Sequence, residues 1–137
     1  MPTEMLFFSV STCKHMEKLS MLELAFLGDA IHTVFVRRNL LKLNNQRLDI
    51  LNKEASKLCS AKNQSKVLEK LLPALNEEEC DIVRRARNSK AKHSAKNASS
   101  ADYHKATAFE ALVGWLYVNK NEKRLNEILE LSVFQEE

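Results

Sequence analysis

The chain has 137 residues, 45% hydrophobic and 28% charged, which excludes a disordered segment and fits one globular domain over residues 1–137. Two Gly and two Pro are too few for a turn-rich all-β fold and leave an all-α one. The net charge of +3 is small, so any strong affinity for a polyanion must come from where the charge sits.

Residues 1–19 read as an N-terminal extension. Its apolar run Met5–Val10 is too short to cross a membrane, and Glu4 is the wrong residue to precede a signal peptide's apolar stretch. It is expected to pack on the core, with no membrane partner. Ser20-Met21-Leu22-Glu23 is a capping box, in which hydroxyl and carboxylate satisfy each other's backbone amides. A helix should follow to about Leu41. It is apolar on nearly every side, from Leu22 through Phe26, Ile31 and Val36, which predicts a buried central helix.

Asn44-Asn45 breaks the pattern. A second helix takes Gln46 to Cys59, with Leu48, Leu51, Ala55 and Leu58 on one face. Ser60 caps a third, to about Leu72, where Pro73 stops or kinks it. Asn76 caps a fourth, with Glu77, Glu78 and Glu79 in its positive first turn and Arg84-Arg85-Ala86-Arg87 at its end. Residues 88–100 have no apolar period and read as a mobile basic loop. A fifth helix runs from Ala101 to about Asn119 and a last from Glu122 to Leu131. There is no internal repeat.

Between Arg84 and Lys105 lie seven cations, namely Arg84, Arg85, Arg87, Lys90, Lys92, Lys96 and Lys105, against Asp102 alone. That segment carries +6 and leaves −3 for the rest of the chain. Such clustering suits contact with RNA or DNA, and a solvated surface is the competing reading. No alternating aromatics offer a stacking platform for single strands. Phosphate-loop, dinucleotide-binding and Ser or Cys nucleophile motifs are all missing. Cys13, Cys59 and Cys80 are odd in number and widely spaced, which fits a reducing, cytoplasmic location and gives no zinc pattern with the histidines.

Two acids stand in apolar helices: Asp29 in Leu27-Gly28-Asp29-Ala30-Ile31, and Glu110 in Phe109-Glu110-Ala111-Leu112-Val113. A buried carboxylate must be hydrogen-bonded, paired, neutralised or bound to a cation. Asp29 as an internal cap and Glu110 as the partner of an arginine are the structural readings. A functional pair is the other.

Three stretches together resemble the ribonuclease III catalytic domain, and within it the short Mini-ribonuclease III branch that lacks a double-stranded-RNA-binding domain. They are Leu24-Ala25-Phe26-Leu27-Gly28-Asp29-Ala30-Ile31 with Val36-Arg37, then Arg84-Arg85-Ala86-Arg87-Asn88-Ser89-Lys90, then Tyr103 through Tyr117. The likeness runs from about Leu22 to Leu129. It implies a ribonuclease III endonuclease-domain-like helical bundle that dimerises and cuts double-stranded RNA. It implies Asp29 and Glu110 as catalytic ligands of Mg²⁺, for which Mn²⁺ can substitute. The implied substrate is the precursor end of 23S ribosomal RNA, gripped by the basic segment. A catalytically silent RNA-binding or ribosome-assembly factor of the same fold is the alternative.

The chain departs from the longer family members at Ala25 and Thr107, where those carry a Glu and an Asp. One firmly held Mg²⁺ per subunit, with a second recruited by substrate, is therefore expected. The apolar first helix and Trp115 fit a dimer interface or a core equally.

Overall fold

A computed structural model of the chain describes residues 18–43, 46–89 and 99–133. Among them there are six α-helices and no strand: α1 Met21–Leu43, α2 Leu48–Leu58, α3 Ala61–Leu71, α4 Glu77–Arg87, α5 Ser100–Val118 and α6 Glu122–Val133. Met5–Val10, Asn44-Asn45 and residues 90–98 of the basic segment, including Lys90, Lys92 and Lys96, lie outside the described residues.

The helix starts are chemical. At α1, the Ser20 amide donates to Glu23 Oε1 at 2.9 Å and the Glu23 amide to Ser20 Oγ at 3.1 Å, closing the expected capping box. Ser60 caps α3 by accepting from the Asn63 amide at 3.1 Å. Asn76 and Glu79 form a second capping box at α4, at 2.9 and 3.0 Å. Ser99 caps α5 by accepting from the Asp102 amide at 3.0 Å, so α5 begins one residue earlier than the sequence suggests. Pro73 falls in a single 3-10 turn, Leu72–Ala74, that ends α3 without a kink inside it. Lys120, with φ of 58°, turns the chain between α5 and α6.

The central helix is α5, not α1. The helices α1, α3, α4 and α6 all pack on α5, and its Ala108, Phe109, Ala111, Leu112, Val113 and Leu116 are fully buried. The expectation of a buried α1 is corrected: Leu22 is 39%, Phe26 84% and Leu41 66% exposed. Only one side of α1, with Leu24, Ala25, Gly28, Ile31 and Val36, is buried. An all-round apolar pattern states that water is excluded, not whether the chain's own core or another surface excludes it. Trp115 is partly buried against the core.

Arg124 fastens α6 to the start of α4. Its Nε and Nη2 donate to Glu79 at 2.7 and 2.8 Å, Nη2 also to the Ala74 carbonyl at 2.7 Å, and Nη1 to Glu127 at 3.0 Å. Glu79 is only 1% exposed, and the Arg124 guanidinium holds its carboxyl below the usual range.

Both of the chain's glycines lie where α1 crosses α5. A Cβ on Gly28 would stand 1.8 Å from the Glu110 carbonyl oxygen, and one on Gly114 would stand 2.1 Å from that of Leu24. The two backbones are in direct contact, and no side chain fits between them. Gly114→Ala must push the helices apart. The expected loss is about 3 kcal/mol or more, the upper end for overpacked cores, or a melting temperature lower by roughly 10 °C. Circular dichroism melts check this, and an unchanged midpoint would show that the crossing is looser than described.

Candidate active site

The glycine crossing decides which side chains meet. Gly28 lies against the backbone of Glu110, so Asp29, the next residue of α1, is carried to the Glu110 side chain. The two carboxyl groups are in hydrogen-bonding reach of one another. The sequence places both acids in apolar helices, and the fold brings them together. It also corrects one expectation: Asp29 is exposed and Glu110 only partly buried, so this is a site open on one side rather than a sealed pair.

Burial is the main cause that raises Glu110, to about 9, and the negative charge and hydrogen bond of Asp29 add to it, while the Gln64 side chain opposes the shift. At neutral pH, with nothing bound, Glu110 therefore keeps its proton and shares it with Asp29. Two like charges held this close require a proton or a cation between them.

Near the acids lie two polar residues that no sequence signal singles out. His32 and Gln64 are 2% and 1% exposed. Gln64 Nε2 lies 2.9 Å from His32 Nδ1. The His32 ring stands edge-on to Phe109, centroids 4.9 Å apart at 83°. Burial lowers His32 to about 4, against the pull of Asp29's charge, so the ring is neutral. Thr33 turns its hydroxyl back to the Asp29 carbonyl at 2.9 Å and lies 3.8 Å from Cys59 Sγ.

No cluster of three or more His, Cys, Asp or Glu side chains suited to a metal occurs among the described residues. Ala25 is buried, and the hydroxyl of the buried Thr107 donates to the Tyr103 carbonyl at 3.0 Å. Glu23 is engaged in the α1 cap. The donor set is thus two carboxylates. Hard oxygen ligands, few in number and open to water, suit a cation that keeps much of its hydration shell.

The basic candidates divide. Arg84 and Arg85 both pair with Asp81, the latter at 3.8 Å. Lys105 reaches Glu69 at 2.5 Å, tying α5 to α3, so its charge is neutralised within the fold. Arg87 is exposed. With Arg84, Asn88 and His104 it borders a cleft of about 410 Å³ beside the first turns of α5. Lys90, Lys92 and Lys96 lie outside the described residues.

Residues 22–121 match a ribonuclease III domain. The Mini-ribonuclease 3 of Brevibacillus brevis is 48% identical over 109 residues, which cover 80% of this chain and 81% of that protein. The Mini-ribonuclease 3 of a Thermoanaerobacter species is 44% identical over 115 residues, covering 84% and 81%. A crystal structure of a protein from Fusobacterium nucleatum superposes with a TM-score of 0.78 at 34% identity, covering 87% of this chain and 95% of that one.

The proton on Glu110 has a consequence for stability. A carboxyl raised to about 9 in the fold, against 4.5 when unfolded, binds more protons folded than unfolded between those values. The folded protein therefore loses stability as pH rises across that window. Glu110→Gln removes the ionisation. With a chelator present, the wild-type melting temperature should fall relative to the variant by several degrees from pH 5 to pH 9. Parallel scanning-fluorimetry curves would contradict the raised value.

Proposed function

The chain belongs to the ribonuclease III family and is an endoribonuclease, and on that premise we propose that it cuts double-stranded RNA as a homodimer, with Mg²⁺ or Mn²⁺ held by Asp29 and Glu110. The observation that carries the reading is the convergence of two carboxyl groups from α1 and α5 on one open site. Nothing in the packing calls for acids there, since alanine or leucine would fill either position without a desolvation cost.

A divalent cation supplies positive charge at a phosphodiester oxygen and makes water a stronger nucleophile at neutral pH. The chain's own groups do the rest. Glu110 would have to give up its proton to hold a cation, so metal binding should tighten as pH rises. Asp29 is exposed, so its carboxylate is open to an incoming phosphate and its cation. The absence of acids at Ala25 and Thr107 favours one firmly held ion per subunit.

We assign the duplex backbone to the basic residues Arg84, Arg85, Arg87, Lys90, Lys92 and Lys96, of which Arg87 is exposed and Arg84 and Arg85 share one aspartate. Lys105 belongs to the same assigned set, with its ammonium paired to Glu69 in the free protein. Backbone recognition of this kind carries little sequence information, as duplex RNA offers mainly shape and phosphates. The substrate we assign is the duplexed end of a 23S ribosomal RNA precursor, on the resemblance to the short branch. The cytoplasm is the assigned location, where the thiols of Cys59 and Cys80 stay reduced. None of the helices among the described residues is long and apolar enough to cross a membrane.

Support for the dimer is the uncovered face of α1. Phe26, Leu22 and Ala30 lie four residues apart on one exposed stripe. A second copy that covered Phe26 would gain roughly 1.5–3 kcal/mol from that side chain alone.

Two measurements test the proposal. Asp29→Asn should cut cleavage of a perfect RNA duplex in Mg²⁺ by at least about 100-fold, because even outer partners of a metal ligand are worth about 10–100-fold. A gel assay reads it, and retained cleavage would remove the mechanism. Phe26→Glu should convert the dimer to a monomer in sedimentation at micromolar concentration. A variant that still sediments as a dimer would place the interface elsewhere.

A further inference from the structure

We propose that Arg37, Lys57 and Lys62 form a second phosphate-binding surface beside the acid pair, gripping the backbone of duplex RNA independently of the Arg84–Lys105 segment. The inference rests on the reading of duplex RNA as substrate and adds a set of contacts to it.

The charge is countable in the sequence. Between Arg37 and Lys66 lie eight Lys or Arg against Asp49 and Glu54, a net +6, as large as that of the Arg84–Lys105 segment. The fold keeps this charge available. All eight cations are exposed. Among the described residues only one of them, Arg47, is ion-paired, to Asp49 at 2.7 Å. In the other segment Arg84 and Arg85 share Asp81, and Lys105 is bound to Glu69. Unpaired like charges on one stretch of surface repel each other, and a polyanion relieves that repulsion.

Two contacts place this charge next to the acids. The chain passes from α2 to α3 at Cys59, whose Sγ lies 3.8 Å from Thr33 Oγ1. The Thr33 hydroxyl donates to the Asp29 carbonyl at 2.9 Å, one turn earlier on α1. Lys57 and Lys62 therefore flank the point where the α2–α3 junction meets the Asp29 turn. Arg37 lies one turn beyond Thr33 on the same stripe, since residues four apart share a helix face. It borders the groove between α1 and α2, with Leu51 and Ala55. Burial is the main cause that raises the Cys59 thiol, and the charges of Asp29, Arg37 and Glu110 all act on it as well. Asp29 and Arg37 are about 12 Å apart along α1 at 1.5 Å per residue, a span of a few phosphates on one strand. A strand with one phosphate at the acids thus meets these three cations as it runs on. Such contacts fix position and add affinity without reading sequence.

The test measures affinity for a perfect RNA duplex against salt, in a chelator so that nothing is cut. The triple variant Arg37→Gln, Lys57→Gln, Lys62→Gln should flatten the slope of log affinity against log salt by about three, about one for each lost phosphate contact. In Mg²⁺ its KM for the duplex should rise, with kcat retained at saturating RNA. Mn²⁺ titrated calorimetrically into the RNA-free protein should bind as to wild type. Lys123→Gln, an exposed cation on α6, should leave the slope unchanged.

A wild-type slope in the folded triple variant overturns the proposal. So does a flattening by Lys123→Gln equal to that per residue of the triple variant, which would mean that any surface cation counts. Lost Mn²⁺ affinity in the triple variant also overturns it, because the residues would then act on the acids and not on RNA. If the triple variant does not fold, Lys57→Gln with Lys62→Gln decides, with an expected flattening of about two. Salt-sensitive binding by wild type with an unaltered triple variant sinks this surface alone. A wild-type protein with no salt-sensitive affinity for the duplex sinks the duplex reading itself.

Discussion

The contact on which the rest of the molecule depends is between two backbones. Gly28 and Gly114 let α1 and α5 touch without intervening side chains, and a methyl group at either position would overlap a carbonyl oxygen of the other helix. Close approach does two things at once. It maximises dispersion contact between the two longest helices. It also fixes their rotation, because only one face of each can present a glycine to the other. Asp29 and Glu110 are brought together as a consequence of that rotation. The candidate site is in this sense a by-product of how the core is closed.

The acid pair then sets an electrostatic problem inside a structure otherwise built on apolar burial. Burial alone pushes Glu110 far towards its neutral form, and the charge of Asp29 pushes it further. A core designed only for stability would not contain it. The buried amide of Gln64 and the neutral ring of His32 are the opposite kind of feature, polar groups that satisfy one another inside the bundle.

The surface carries a related tension. Phe26, Leu22 and Leu41 remain open to water along α1, the helix that also bears Asp29. Exposed large side chains on a helix otherwise anchored in the core are a sign of a missing neighbour. The proposed dimer face and the proposed catalytic Asp29 therefore share one rigid element. On the other side of the bundle, Arg124 binds α6 to Glu79 and to the chain end of α3, so the scaffold under α5 is held by an ion pair as well as by packing.

Much of this was legible before any coordinates. Ser20 with Glu23, Ser60, and Asn76 with Glu79 marked three helix starts, because caps are local chemistry between residues a few positions apart. The scarcity of Gly and Pro gave the all-α class, and the two acids stood out because apolar helices tolerate them poorly. What periodicity could not give was which apolar helix is central. Only α1 reads as buried on nearly every side, yet it is the middle of α5 that the other helices enclose, while α1 is covered on one side.

The same limit applies to the site. Asp29 and Glu110 were identifiable singly, but not as open or sealed, and Gln64 carried no signal at all. The charge of Lys105 was visible; its neutralisation by Glu69 was not. Sequence by itself determined what each residue can do locally, since propensity, capping and charge act over one or two turns. Only the tertiary structure decided which groups meet, because contacts between helices far apart in the chain depend on crossing and rotation. Here those were set by two glycines whose role becomes visible only when the helices touch.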